Sequence, residues 1–92
     1  MEGNLFMGQF EKLMISVLCG SRDKDIRFDD LCKVLAGLGF SERIKGSHHI
    51  FHKDGIDEII NIQPDKTKAK PYQVKQVRQI IVNHKLGGII DA

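Results

Sequence analysis

The sequence predicts an α+β domain in the order helix, helix, three-stranded antiparallel sheet, helix, with the helices on one face of a small sheet. Three observations predict it. Apolar residues recur at helical spacing up to Leu38, alternate with polar ones from Phe40, and return to helical spacing after Pro71. Two turn signals, Gly46-Ser47 and Asp54-Gly55, cut the alternating stretch into three short strands. At 92 residues the chain has the size of one domain.

Each element has its own signature. In residues 4–18, Phe6, Phe10, Leu13, Met14 and Val17 fall at i, i+4, i+7, i+8 and i+11, a single apolar stripe. Gly20-Ser21 ends that helix, and Arg22-Asp23-Lys24-Asp25 reads as a charged turn. Residues 30–38 read as a second helix, with Asp29 as N-cap and Leu31, Val34, Leu35 and Leu38 as its stripe. Gly39 is placed to close it in a left-handed conformation. Strands are expected over 40–45, 48–53 and 56–63, the last stopped by Pro64, which cannot donate to a ladder. Residues 65–70 read as a polar, basic loop. Pro71 opens a last helix over 71–86, where its missing N–H costs nothing. Val74, Val77, Ile80 and Ile81 form its stripe, Lys75 and Arg78 lie on the other side, and Gly87-Gly88 stops it.

A chain this short buries roughly 60–65% of its surface, so its core is modest. It lacks room for a deep substrate cavity together with a cofactor-binding fold, and no cofactor is expected. The open reactions are those with an exposed site, such as cleavage of a polymer lying across the surface. Cys19 and Cys32 make no disulfide framework and read as two reduced core thiols. Met1-Glu2-Gly3-Asn4 lacks the positive start of a signal peptide, and no run approaches the roughly 18 apolar residues of a membrane span. The expected location is the cytoplasm.

Net charge is +2, unevenly spread. Residues 1–40 hold five Lys/Arg against six Asp/Glu, and residues 41–92 hold nine against six, with all four histidines. Lys66 to Ile90 carries six basic residues and no acidic one. Such a stretch attracts polyanions, although a solvated helix face has the same composition.

His48 and His49 are adjacent on an expected strand, so their side chains point to opposite faces. His52 shares the face of His48 but lies roughly 13 Å further along at 3.3 Å per residue. Zinc needs ligand nitrogens about 2.0–2.1 Å away, so these two cannot share an ion, and no metal is expected. A strand histidine can instead take and return a proton near neutrality. RNA brings its own nucleophile, the 2′-hydroxyl. Arg43, Lys45 and Lys53 flank the histidines as candidate phosphate partners, and Ser47 and the Gly46 backbone could donate to a phosphate oxygen. Ordinary sheet histidines remain the alternative.

Here the residues resemble a known family. Leu38-Gly39-Phe40 at the end of a helix is followed by a strand, by Lys45-Gly46-Ser47-His48-His49, and two residues later by Phe51. A third strand and a closing helix complete an order similar to that of the HicA family of small bacterial toxins, the poison half of HicA–HicB toxin–antitoxin pairs. The resemblance spans Phe28 to Val82. It implies a double-stranded-RNA-binding-like fold and endoribonuclease activity against messenger RNA. It makes His48 the catalytic histidine, with His49 as second choice, and implies a HicB-type antitoxin that covers the histidine. Residues 1–27 then form an added helix and turn before a domain over 28–92. Two segments depart from the family pattern: Asn61-Ile62-Gln63-Pro64 stands where a Val-Pro-rich run is usual, and Lys70-Pro71-Tyr72-Gln73 where a helix opens with Gly-Thr. The expected RNA contacts are Arg43, Lys45, Lys53, Lys68, Lys70, Lys75 and Arg78. A non-catalytic RNA-binding module is the competing reading. The added helix could dimerise or dock on a partner, or simply pack on the helix at 30–38.

Overall fold

A computed structural model describes residues 8–87. The change of period at Phe40 is a change of structure. Two helices, α1 (Gln9–Cys19) and α2 (Phe28–Gly37), are joined through a single 3-10 turn at Asp23–Asp25. Three strands follow, β1 (Ser41–Lys45), β2 (His48–Lys53) and β3 (Ile56–Ile62), then a two-residue ribbon, β4 (Pro64–Asp65) with β5 (Lys68–Ala69), and the last helix, α3 (Pro71–Asn83). The main sheet is antiparallel in the order β1-β2-β3. The first four residues of the helix expected over 4–18 precede the described part, and Gly88 of the expected stop follows it.

The sheet separates two faces. Register pairs Glu42 with Phe51, Ile44 with His49, and Phe51 with Ile60. Directly opposed residues share a face, so these lie on the side that carries the helices, where Phe51 and Ile60 are buried and Glu42 and Ile44 stay exposed. Ser41, Arg43 and Lys45 oppose His52, Ile50 and His48, and Asn61 opposes Ile50, on the open face. A bulge between Phe51 and Lys53 shifts the register at the far end of β2. Phe51, Ile60 and Ile62 are fully buried against Leu31, Val34 and Leu35 of α2 and Val74, Val77 and Ile81 of α3. Met14 and Val17 of α1 are buried in the same core, so its stripe is turned inward, as the packing alternative for that helix expects.

Four local expectations are corrected. The segment 65–70 is not a plain loop: Pro64 opposes Ala69 and Asp65 opposes Lys68. Proline can occupy this ribbon because it sits at an edge. The ribbon also resets the start of α2. Ala69 N–H donates to Ile26 O at 2.9 Å and Phe28 N–H donates to Thr67 O at 3.0 Å, so the helix begins at Phe28, two residues early. Arg27, not Asp29, is the N-cap, and Asp29 lies in the first turn, where its charge suits the helix dipole. The third correction is the end of α3 at Asn83 rather than at 86. Lys85 adopts φ +53°, Leu86 N–H reaches Ile81 O at 3.0 Å and Lys85 N–H reaches Val82 O at 3.2 Å, a Schellman closure built on lysine rather than on the glycines. Lastly, Cys19 is exposed and Cys32 half-buried, so only one thiol leans on the core, and both are free.

Among the described residues no helix is long and apolar enough to cross a membrane.

Candidate functional site

Lys45 and His48 are paired across the Gly46-Ser47 turn. Gly46 holds φ +62°, a left-handed conformation that favours glycine. The turn delivers His48 as the first residue of β2, exposed on the open face. Its Nδ1 lies 2.9 Å from Oδ1 of Asn61 on β3. An amide oxygen can only accept, so Nδ1 donates in this bond, and in the neutral ring the lone pair is then on Nε2. Lys45 stands directly opposite His48 and Arg43 opposite Ile50, both exposed on this face.

The turn is braced from below. Gln63 Nε2 donates to Ser47 Oγ at 3.1 Å, and Gln63 N–H donates to Oε1 of Gln73 at 3.3 Å. Gln73, in the first turn of α3, is the one buried polar residue among the described residues, 4% exposed. The seryl oxygen accepts from Gln63, which leaves the hydroxyl proton free for a ligand. Sequence reasoning missed Asn61, Gln63 and Gln73. Only the register of β2 on β3 sets Asn61 beside His48.

His49 occupies the other face. Its Nδ1 lies 2.6 Å from Glu42 Oε2, and its ring meets Phe28 edge-on, with centroids 4.8 Å apart. It lines a cavity of about 250 Å³ with Arg27, Phe28, Asp29, Pro64, Lys66 and Thr67. Donor atoms of Cys32, Glu42 and His49 all lie within 4.8 Å of one another. Burial pushes the Cys32 thiol up to about 12, helped by the charges of Glu42 and Asp29. The Cys19 thiol is lowered instead, chiefly by its hydrogen bond with Ser21 at 3.3 Å.

The expected cationic set divides. Arg43 and Lys45 stand beside His48. Lys53 does not, because it shares the helix-side face and its ammonium folds over Gly39. Arg78 grips Asp23 with two bonds, Nη1 to Oδ1 at 2.8 Å and Nη2 to Oδ2 at 3.1 Å, and caps Val17 O at 3.0 Å. Lys68 pairs with Asp25 at 2.9 Å, and the Asp25 carboxyl is held below its usual range by that hydrogen bond. Thus the run from Lys66 onward lacks acids in sequence but not in space: the 3-10 turn brings Asp23 and Asp25 to it. Lys70 is the half-buried N-cap of α3, and Lys75 is exposed on that helix. At the far end of β3, His84 Nε2 meets Glu58 Oε1 at 2.9 Å and ties α3 to the strand.

Fold and site together define a small α+β domain that presents a strand histidine, held by an amide and flanked by cations, on an open sheet face. A family model described as the HicA toxin of bacterial toxin-antitoxin matches residues 28–82, from the start of α2 to the last turn of α3. The chain belongs to the HicA toxin family, and its α+β fold is consistent with the double-stranded-RNA-binding-like fold of that family. Membership implies an antitoxin partner. No curated protein and no solved structure matched the chain.

Proposed function

We propose that this protein is a metal-independent endoribonuclease that cleaves messenger RNA in the cytoplasm, as the toxin of a HicA–HicB-type pair, with His48 as its acid–base group. The observation that supports this most is the placement of His48: exposed, oriented by Asn61 at 2.9 Å, and beside Lys45 and Arg43. Nε2 takes the proton of a ribose 2′-hydroxyl. That oxygen attacks the adjacent phosphorus, the bond from phosphorus to the 5′-oxygen breaks, and the proton passes to the leaving oxygen. Lys45 and Arg43 offset the charge that builds on the phosphate, and the Ser47 hydroxyl donates to one of its oxygens. Because the nucleophile belongs to the RNA, no metal ion or covalent intermediate is required. A HicB-type antitoxin inhibits by covering the open face around His48, and residues 1–27 are an addition before the RNA-cleaving domain.

Product chemistry tests the proposal. Purified protein should convert RNA into fragments ending in a 2′,3′-cyclic phosphate and a 5′-hydroxyl, and should leave a strand uncut where the attacking 2′-hydroxyl is replaced by hydrogen. Fragments with 5′-phosphates, or cleavage at 2′-deoxy positions, would refute the mechanism. Binding without any cleavage would favour a non-catalytic RNA-binding module.

A further inference from the structure

We propose that Cys32, Glu42 and His49 form a binding site for a divalent ion of the zinc class, on the sheet face opposite His48. The three residues come from three different elements, α2, β1 and β2, and their donor atoms lie within 4.8 Å of one another. They offer sulfur, oxygen and nitrogen, the donor set that suits a borderline-soft ion such as Zn²⁺ or Co²⁺. Three protein ligands with a fourth position left open is a recurrent zinc arrangement.

The geometry needs little change. A tetrahedral ion with ligands at about 2.0–2.3 Å sets neighbouring donors about 3.3–3.6 Å apart. The Glu42–His49 separation, now 2.6 Å, opens by about 1 Å, and the widest separation closes by a similar amount. Glu42 is exposed and has the rotamer freedom to make this adjustment. The His49 ring is already set by its edge contact with Phe28. On binding, the neutral His49 ring turns its lone pair on Nδ1 to the ion and carries its one N–H proton on Nε2, the thiol proton of Cys32 passes to water, Glu42 binds as the carboxylate, and three metal–ligand bonds form as waters leave the ion.

The Cys32 sulfur lies within 4.8 Å of the donor atoms of both Glu42 and His49. A plain Glu–His ion pair has no use for that sulfur, and this separates the two readings. Sequence spacing hid the site, because a zinc motif is sought along one strand or in a close Cys pair. An ion here would tie α2 to β1 and β2 directly beneath the strand that begins with His48.

The test is titration of the full, tag-free, reduced protein with Co²⁺, followed by absorption. A thiolate-to-cobalt charge-transfer band in the near ultraviolet and tetrahedral d–d bands in the visible should appear at one equivalent. Cys32→Ser should abolish the charge-transfer band, and Glu42→Gln and His49→Gln should weaken binding at least tenfold, with circular dichroism checking that each variant is folded. Cys19→Ser and His48→Ala should bind as the parent does, so failure here is separable from failure of the ribonuclease reading. Zn²⁺ at about a hundredfold excess over Kd should raise Tm on the order of 10 °C. Absence of a thiolate band, or a band that survives Cys32→Ser, would overturn the proposal.

Discussion

Replacing Arg78 by alanine separates structural cations from RNA-facing ones. The guanidinium makes three charge-assisted bonds, two to Asp23 and one to Val17 O, with its side chain 19% exposed and that of Asp23 20% exposed. It supplies the cation that the last turn of α1 lacks, and it joins α3 to the 3-10 turn before α2. Removing it strands a mostly covered carboxylate and an uncapped carbonyl. Removing one partner of a fully buried pair costs about 3–5 kcal/mol, and of a surface pair below about 1 kcal/mol. The intermediate exposure here places Arg78→Ala at about 2–3 kcal/mol. For a domain of this size that lowers Tm by roughly 10–20 °C. The assay is thermal and urea unfolding of Arg78→Ala, Asp23→Ala and the double variant, with a coupling energy above about 1 kcal/mol expected from the cycle. RNA affinity of the folded variant, and its dependence on salt, should stay as in the parent. A Tm within a degree or two of the parent, with a salt slope reduced by about 0.7–0.9, would refute the reasoning and return Arg78 to the RNA-binding surface.

Three other substitutions or reactions probe the remaining assignments. Charge reversal at Arg43 and Lys45 should weaken RNA binding and lower the salt slope by about 0.7–0.9 for each phosphate no longer neutralised, whereas reversal at Lys68, already paired with Asp25, should change the slope less; filter binding at several salt concentrations measures both. Asn61→Ala frees the imidazole, and the cleavage rate should fall on the order of tenfold, a part of the roughly 10²–10⁴ that an acid–base group contributes; Asn61→Asp should recover much of the rate while moving the acid limb of the pH–rate profile upward, because a carboxylate favours the protonated ring. Alkylation near pH 8 followed by mass spectrometry should modify Cys19 quickly and Cys32 slowly, since the thiolate is the reactive form and the two thiols are shifted in opposite directions.

How much of the structure is legible in the sequence follows the range of the forces involved. The meander is legible because alternation, Gly46-Ser47 and Asp54-Gly55 act within a few residues. The parity that sends His48 and His49 to opposite faces is a property of any strand. The start of α2 is not legible, because hydrogen bonds from Phe28 to Thr67 and from Ala69 to Ile26 fix it, and those partners lie about forty residues away. Arg78 reads as a solvent-facing cation on the far side of an apolar stripe until tertiary packing places Asp23 against it. Similarly, His48 is found from its motif, whereas Asn61 requires the register of β2 on β3, which a bulge shifts toward the hairpin. The trio of Cys32, Glu42 and His49 depends on how α2 sits across the sheet, and no local pattern encodes that.

The most direct measurement compares single-turnover cleavage of one RNA by the parent, His48→Ala and His49→Ala at equal folded concentration. His48 is exposed, so its removal should leave the fold and RNA binding intact while lowering the rate by roughly 10²–10⁴. His49→Ala should retain most of the rate, since that ring lies on the helix side, against Phe28 and Glu42. Expression of the parent should slow growth, and expression of His48→Ala should not. A folded His48→Ala that cleaves as fast as the parent would contradict the assignment, and an inactive His49→Ala beside an active His48→Ala would move the chemistry to the opposite face of the sheet.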